Sequence, residues 1–191
     1  MANTVAYVTT GAPAINGAIW RAPLNTTLPT SVDEALAAAF KCLGYCSDDG
    51  LTNGNSPTTE SIKAWGGDEV LTPTTGRQDN YSWKSIEATN IDVLKMSYGD
   101  NNVSGTLETG ITVRHNATDQ PAAVYVIDTI LKGGIKKRIV VPNGKMTSLE
   151  DVGYKDNAAI AYGVTIAALA GGFGASDPDT SKEYIKKPAT T

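Results

Sequence analysis

Residues 62–103, IKAWGGDEVLTPTTGRQDNYSWKSIEATNIDVLKMSYGDNNV, constrain the fold of this chain more than any other stretch. Val70–Arg77 and Tyr81–Glu87 are rich in Val, Leu, Thr, Tyr and Trp, which suit a pleated, half-buried surface. Gln78, Asp79 and Asn80 separate them, and the pattern predicts a hairpin. Thr89 stands three residues before Asp92, a capping-box spacing that opens a helix. Ile91, Leu94 and Tyr98 share a face of that helix, and Gly99 ends it. A hairpin followed by a short flanking helix is a scaffold, and nothing in the block is equipped for chemistry.

The flanking segments extend the same reading. Thr4–Thr9 and Ala14–Arg21 are extended runs split by Gly11 and Pro13, and residues 22–30 form a Pro- and Thr-rich loop. Ser31 with Glu34 at the capping-box position predicts a second helix. Its apolar stripe is Leu36, Phe40 and Leu43, and Gly44 stops it. Residues 47–61, SDDGLTNGNSPTTES, have almost no apolar anchor and read as a long polar loop. Such a loop in a compact domain calls for a function, which makes 44–61 the first candidate for an intersubunit contact.

The second half reads as β-rich. Thr109–Asn116 alternates Ile111, Val113 and His115 against polar neighbours, as a half-buried strand does. Ala122–Leu131 is apolar on both faces except at Asp128, so both faces should be covered. Gly133–Gly134 turns the chain into Ile135–Val141, and Pro142-Asn143-Gly144 is a hairpin signal before Lys145–Lys155. In Ala158–Leu169 the residues Ile160, Tyr162, Val164 and Ile166 share one face. Ala159, Ala161, Gly163, Thr165 and Ala167 make the other, a small-residue face that lets another backbone approach. After Gly171-Gly172 the polar tail has only Tyr184 and Ile185 to bury, so docking on a neighbour is expected to order it. The fold class is therefore α+β, mostly β: an antiparallel β-sandwich or partial barrel with one or two flanking helices. The division is a β-domain over 1–172, with the long loop at 44–61, and a C-terminal extension over 173–191.

The chemistry-bearing residues do not converge. His115 is the single histidine, and a catalytic or metal site needs several groups together. Cys42 and Cys46 lack the further ligands that zinc requires and read as small buried hydrophobes, with a disulfide open to them outside the cell. Asp48-Asp49 and Asp68-Glu69 are carboxylate pairs of ordinary solvated loops, and DDGLTNGN lacks the terminal Glu of a calcium loop. Lys136, Lys137 and Arg138 form the one basic cluster, read as a solvated edge or an ion-pairing contact with an acidic neighbour rather than a phosphate site. Asn25, Asn80, Asn102 and Asn116 begin N-x-S/T triplets, which carry no meaning without a secretory signal. No catalytic residue, cofactor site or metal site is assigned, and no enzyme is expected.

A chain of 191 residues suits one domain with extensions. Its net charge of −4 and pI near 5.0 argue against tight DNA binding, which needs a basic footprint. No secretory signal opens it, and no stretch approaches the ~18 apolar residues of a membrane span. Two cysteines are no disulfide framework, which points to a reducing bacterial cytosol followed by incorporation into an extracellular particle.

Three phrases, APLNTTLPTSVDEALAAAFKCLGYCSDDGLT, IKAWGGDEVLT and SIEATNIDVLKMSYGDNNV, cover most of residues 22–103. Their order resembles that of the tail tube (major tail) proteins of long-tailed bacteriophages, especially phages of Gram-positive hosts. A weaker likeness runs through residues 133–169. The resemblance implies a structural virion protein that forms hexameric rings, with inner strands of six subunits closing a shared β-barrel. Stacked rings would make a tube, assembled in the host cytoplasm, that conducts the genome during ejection. Its partners would be itself and the tape measure, terminator and distal tail proteins, with DNA passing only transiently and no membrane contact.

Under that reading Asp48, Asp49, Leu51, Asn53 and Asn55 are expected between rings. Asp79, Glu87, Asp128, Glu150 and Asp151 are the candidates for an acidic lumen, and Tyr184 and Ile185 for tail docking. Two other readings compete. A stand-alone carbohydrate-binding β-sandwich would use Trp20, Trp65 and Trp83 as a platform and behave as a monomer. A tail terminator or capsid decoration protein would form rings without open-ended polymerisation.

Overall fold

A computed structural model describes residues 4–15, 17–174 and 177–188. In chain order the strands of the first half are β1 (Gly11–Pro13), β2 (Ile19–Pro23), β3 (Lys41–Cys42), β4 (Cys46–Thr59), β5 (Ile62–Lys63), β6 (Glu69–Leu71) and β7 (Thr74–Ser85). After helix α1 (Ile91–Tyr98) come β8 (Val103–Thr106), β9 (Gly110–Val113), β10 (Ala123–Leu131), β11 (Ile135–Leu149), β12 (Tyr162–Ala168) and β13 (Lys182–Lys186). The fold is mostly β, all antiparallel in its pairings, with one α-helix and no closed barrel among the described residues.

One large sheet organises the molecule, in the order β3-β2-β10-β11-β12-β7-β4. β11 is long enough to hold two neighbours on one side, β13 along Lys136–Val140 and β12 along Gly144–Leu149. On its other side β10 pairs with it from Ile135 to Gly144, and β10 in turn carries β2 and β1 end to end. As the run Ala122–Leu131 predicts, β10 is covered on both faces. Ala123, Tyr125 and Ile127 join the cluster under α1, while Val124 and Val126 join a second cluster with Ala22, Phe40 and Val140. The segment 28–40, Phe173 and Tyr184 close over that second cluster.

Helix α1 forms where the periodicity places it. The cap is Asn90 rather than Thr89: its Oδ1 accepts from the Asp92 amide at 3.0 Å, satisfying a first-turn N–H. Gly99, with φ 96°, returns its N–H to Lys95 O and ends the helix. Val93, Leu94 and Met96 are buried in the main cluster, each worth about 1.5–3 kcal/mol of transfer free energy.

Several sequence expectations are corrected. No helix forms over 31–43. The Arg138 guanidinium takes the carbonyls of Ser31 and Glu34, the acceptors that a first helical turn would need, at 3.0 and 2.6 Å. Glu34 does cap, but it caps Thr30, accepting from its N–H and hydroxyl at 2.7 and 2.8 Å. Residues 47–59 are not a loop but most of β4, whose long pairing with β7 makes a hairpin. Gln78-Asp79-Asn80 is not a turn: β7 runs straight through it.

Pro142-Asn143-Gly144 is not a hairpin either. β11 continues, and a register shift opposite Val124 absorbs the proline as a bulge. Gly144 is needed there because a Cβ would stand 2.6 Å from the Tyr125 ring. Thr4–Thr9 is not extended throughout, since Val5–Tyr7 is a 3₁₀ turn. The run Ala14–Arg21 becomes strand only from Ile19, and its residue 16 lies outside the described residues. β9 and β12 are shorter than the runs that announced them.

Candidate functional site

The outer half of the β4–β7 hairpin leaves the body of the molecule. In β7 the alternation of buried and half-buried residues begins only at Asp79, and Thr74–Gln78 are exposed on both faces. From Ser56↔Gln78 to Thr59↔Thr74 the two strands pair with both faces exposed. This ribbon is about 14 Å long at ~3.4 Å per residue. At its end β5 and β6 make a small second hairpin. Ile62, Val70, Leu71 and Trp65 are exposed there, Trp65 completely. The arm is polar because both faces meet water, so neither strand periodicity nor apolar anchors mark it in the sequence.

The arm is fixed at its root by a buried carboxylate. Asp79, 3% exposed, accepts from Asn53 Nδ2 at 2.7 Å on one oxygen. Its other oxygen accepts from Thr180 Oγ1 at 2.9 Å and Ser181 Oγ at 2.7 Å. Tyr81 donates to Ser181 Oγ at 3.0 Å, and burial pushes its phenol up to about 12. These bonds satisfy a buried carboxylate that has no ion-pair partner among the described residues. The carboxylate is thus enclosed within the chain, and the expectation of a lumen-facing Asp79 is withdrawn.

The segment after residue 176 docks on its own subunit, correcting the expectation that only a neighbour would order it. β13 pairs with β11, and Tyr184 packs into the second cluster while Ile185 stays exposed. Lys182 reaches Asp177 at 2.6 Å and stands 4.2 Å over the Phe173 ring. Residues 175–176 and 189–191 of this extension lie outside the described residues.

The basic cluster is not a sheet edge, since Lys136–Arg138 pair with β10 on one side and β13 on the other, but it is ion-paired, within its own chain. Lys136 and Lys186 converge on Asp33, at 2.9 and 2.7 Å, and Lys137 meets Glu183 at 2.8 Å. Lys186 and Lys136 together bring the Asp33 carboxyl down to about 2. Arg138 is buried and bidentate on Asp128, at 2.7 and 2.9 Å. Asp128 therefore has an internal partner. So does Glu87, which accepts from the Tyr45 amide and Asn90 Nδ2, each at 2.9 Å. Its carboxylate fills the space a Cβ at Gly44 would take, and Gly44 has φ 69°.

Glu150 and Asp151 are exposed. Lys84 lies between Asp49, at 3.3 Å, and Glu150, at 3.6 Å, and these carboxylates raise its pKa, chiefly through the Asp49 hydrogen bond. Beside them Ser82 and Thr165 share a hydrogen bond at 2.9 Å. Together with Gly163 and Ala167 they make a small, hydroxylated sheet face facing away from α1 and the main cluster.

The remaining candidates stay apart. His115 is not buried on a strand face: it lies past β9, exposed, edge-on to Tyr98 with ring centroids 4.6 Å apart. Cys42 and Cys46 are free and half-buried on different strands, and burial, with smaller contributions from Cys42 and Glu87, pushes the Cys46 thiol up to about 11. Trp83 is buried, Trp20 half-buried and Trp65 isolated at the arm tip, so no three-Trp platform forms. Of the inter-ring candidates, Asp48, Asp49, Asn53 and Asn55 are exposed along β4, whereas Leu51 packs against the main cluster. No group of three metal-ligating side chains and no helix long and apolar enough to cross a membrane occurs among the described residues.

Compared with known families, the chain matches the family model described as phage tail tube protein over residues 2–184. No curated protein matches it.

Proposed function

Because the chain belongs to the phage tail tube protein family, a structural family of the virion tail, we propose that it assembles into six-membered rings that stack into a tube conducting the genome during ejection. The single observation that carries the reading is the β4–β7 arm. A two-stranded polar ribbon with an apolar tip buries nothing of its own subunit, and it projects from the edge of an open sheet. The long β4 edge offers backbone N–H and C=O groups to another strand, and closing sheets between subunits removes such edges. In this reading Asp48, Asp49, Asn53 and Asn55 contact the next ring.

The lumen wall would be the face of Ser82, Lys84, Gly163 and Thr165, with Glu150 and Asp151 at its margin. Small side chains and a slight excess of carboxylates keep a polyanion moving, where a basic wall would hold it by counterion release. The tube would grow in the cytoplasm of a Gram-positive host, between distal tail and terminator proteins and around a tape measure, without catalysis or a cofactor.

Negative-stain microscopy of the purified chain tests the reading: tubes with a central channel are expected. A chain that stays monomeric by light scattering through micromolar concentrations, or closes into single rings that never stack, would refute it.

A further inference from the structure

The arm tip and a groove at the opposite edge of the sheet are complementary. The tip combines fully exposed Trp65 with exposed Ile62, Val70 and Leu71, and carries Glu60, Asp68 and Glu69 against one Lys63. Trp is among the residue types most enriched in the anchors of protein interfaces, and four exposed large apolar side chains on one short hairpin mark a docking surface. The groove, of about 370 Å³, lies between β2, β3 and α1, with Pro23, Leu43 and Ala122 among its apolar lining. Arg21 in its wall is neutralised by a bidentate pair with Asp100, both bonds at 2.8 Å. Lys41 and Lys95 then outweigh Asp92, and Lys41 is exposed with no carboxylate partner among the described residues. An acidic apolar knob thus faces a basic apolar hole.

We propose that the arm tip docks, Trp65 first, in the Lys41–Lys95 groove of a second copy of this chain. The proposal rests on the tube reading and names its receiving surface. Three strands, β10, β11 and β12, separate β2 from β7, so knob and hole sit on different edges of one subunit. A contact between two such unlike surfaces is heterologous, which generates rings or open-ended stacks rather than closed dimers. The opposite charges set the register of entry, and the Trp supplies the buried area.

The test uses the full chain with a photoreactive benzoylphenylalanine in place of Trp65, mixed as ¹⁴N and ¹⁵N copies and irradiated after assembly. Mixed-isotope crosslinks to the peptides around Lys41–Leu43 or Pro121–Ala123 are expected. Crosslinks within one copy, between two tips, or to any other surface overturn the docking. In parallel, Trp65→Ser and the pair Lys41→Glu/Lys95→Glu should each raise the critical concentration for polymerisation more than about tenfold. Adding Asp68→Lys/Glu69→Lys to the groove pair should recover at least half of that loss. Wild-type tubes whose critical concentration these variants leave unchanged overturn the docking alone. A wild-type chain that forms no polymer overturns the tube reading as well.

Discussion

Asp79 accepts a hydrogen bond at 2.7 Å from Ser181, 102 residues further along the chain. The bond joins the root of the projecting arm to the segment that leads into β13, so two parts of the molecule expected to act separately share one buried charge. Where the arm points is therefore set partly by residues far from it in sequence.

Asp79→Ala removes the acceptor of three buried hydrogen bonds and should cost about 2–4 kcal/mol. Asp79→Asn should cost less, because the amide oxygen still accepts. Urea denaturation measures the loss, and limited proteolysis at Lys182 should show the segment released first. Equal stability in both variants and the wild type would mean the network contributes nothing net.

Shortening the arm separates folding from assembly. Replacing residues 56–78 by a two-residue Asn-Gly turn, which joins the paired residues Asn55 and Asp79, leaves the alternating half of β7 and every buried residue of the sheet intact. The subunit should keep a cooperative melt within a few degrees of wild type and lose elongation in light scattering. Tubes of normal length from this variant would remove the arm from assembly.

Acid should loosen β13 before the sheet. The Asp33 carboxyl, lowered to about 2 by Lys186 and Lys136, has an unfolded value near ~3.9. A depressed carboxylate stabilises its contacts fully above the unfolded value and loses them as pH falls through the folded one. The tie between residue 33, β11 and β13 should weaken between pH ~4 and ~2. Amide exchange over Lys182–Lys186 should rise in that window, ahead of exchange in β10. Uniform protection down to pH 2 would contradict it.

Gly144→Ala forces a methyl to within 2.6 Å of the Tyr125 ring. Overpacking of this kind costs about 1–3 kcal/mol. Thermal melts should fall accordingly, and Tyr125→Leu in the same chain should recover part of the loss.

The buried centre of the molecule was legible in the sequence, and its polar periphery was not. The β10 run, α1 and the Gly133–Gly134 turn announce themselves by apolar pattern or by punctuation, and each stands where those signals put it. Three errors share one cause. SDDGLTNGNSPTTES, Gln78-Asp79-Asn80 and Pro142-Asn143-Gly144 all carry turn composition inside strands, because their polar side chains serve cross-strand contacts, solvent or a bulge. The missing helix at 31–43 is a different failure. Its local capping signal is genuine, but Arg138, more than a hundred residues away, takes the carbonyls. The Lys41–Lys95 groove had no sequence signal at all, since its walls come from four separated segments.

The Asp79 network also has a timing. Its donors Thr180 and Ser181 leave the ribosome after every strand of the sheet except β13. Until they emerge, the carboxylate at the arm root lacks two of its three partners, and neighbouring nascent chains on one messenger meet with their arms unanchored. Domains emerge at roughly 5–20 residues per second, so the interval between completing β7 and sealing it is seconds long. In the proposed assembly, docking that depends on the arm's direction is thereby expected to wait until residue 181 has emerged, sparing a crowded polysome premature polymerisation.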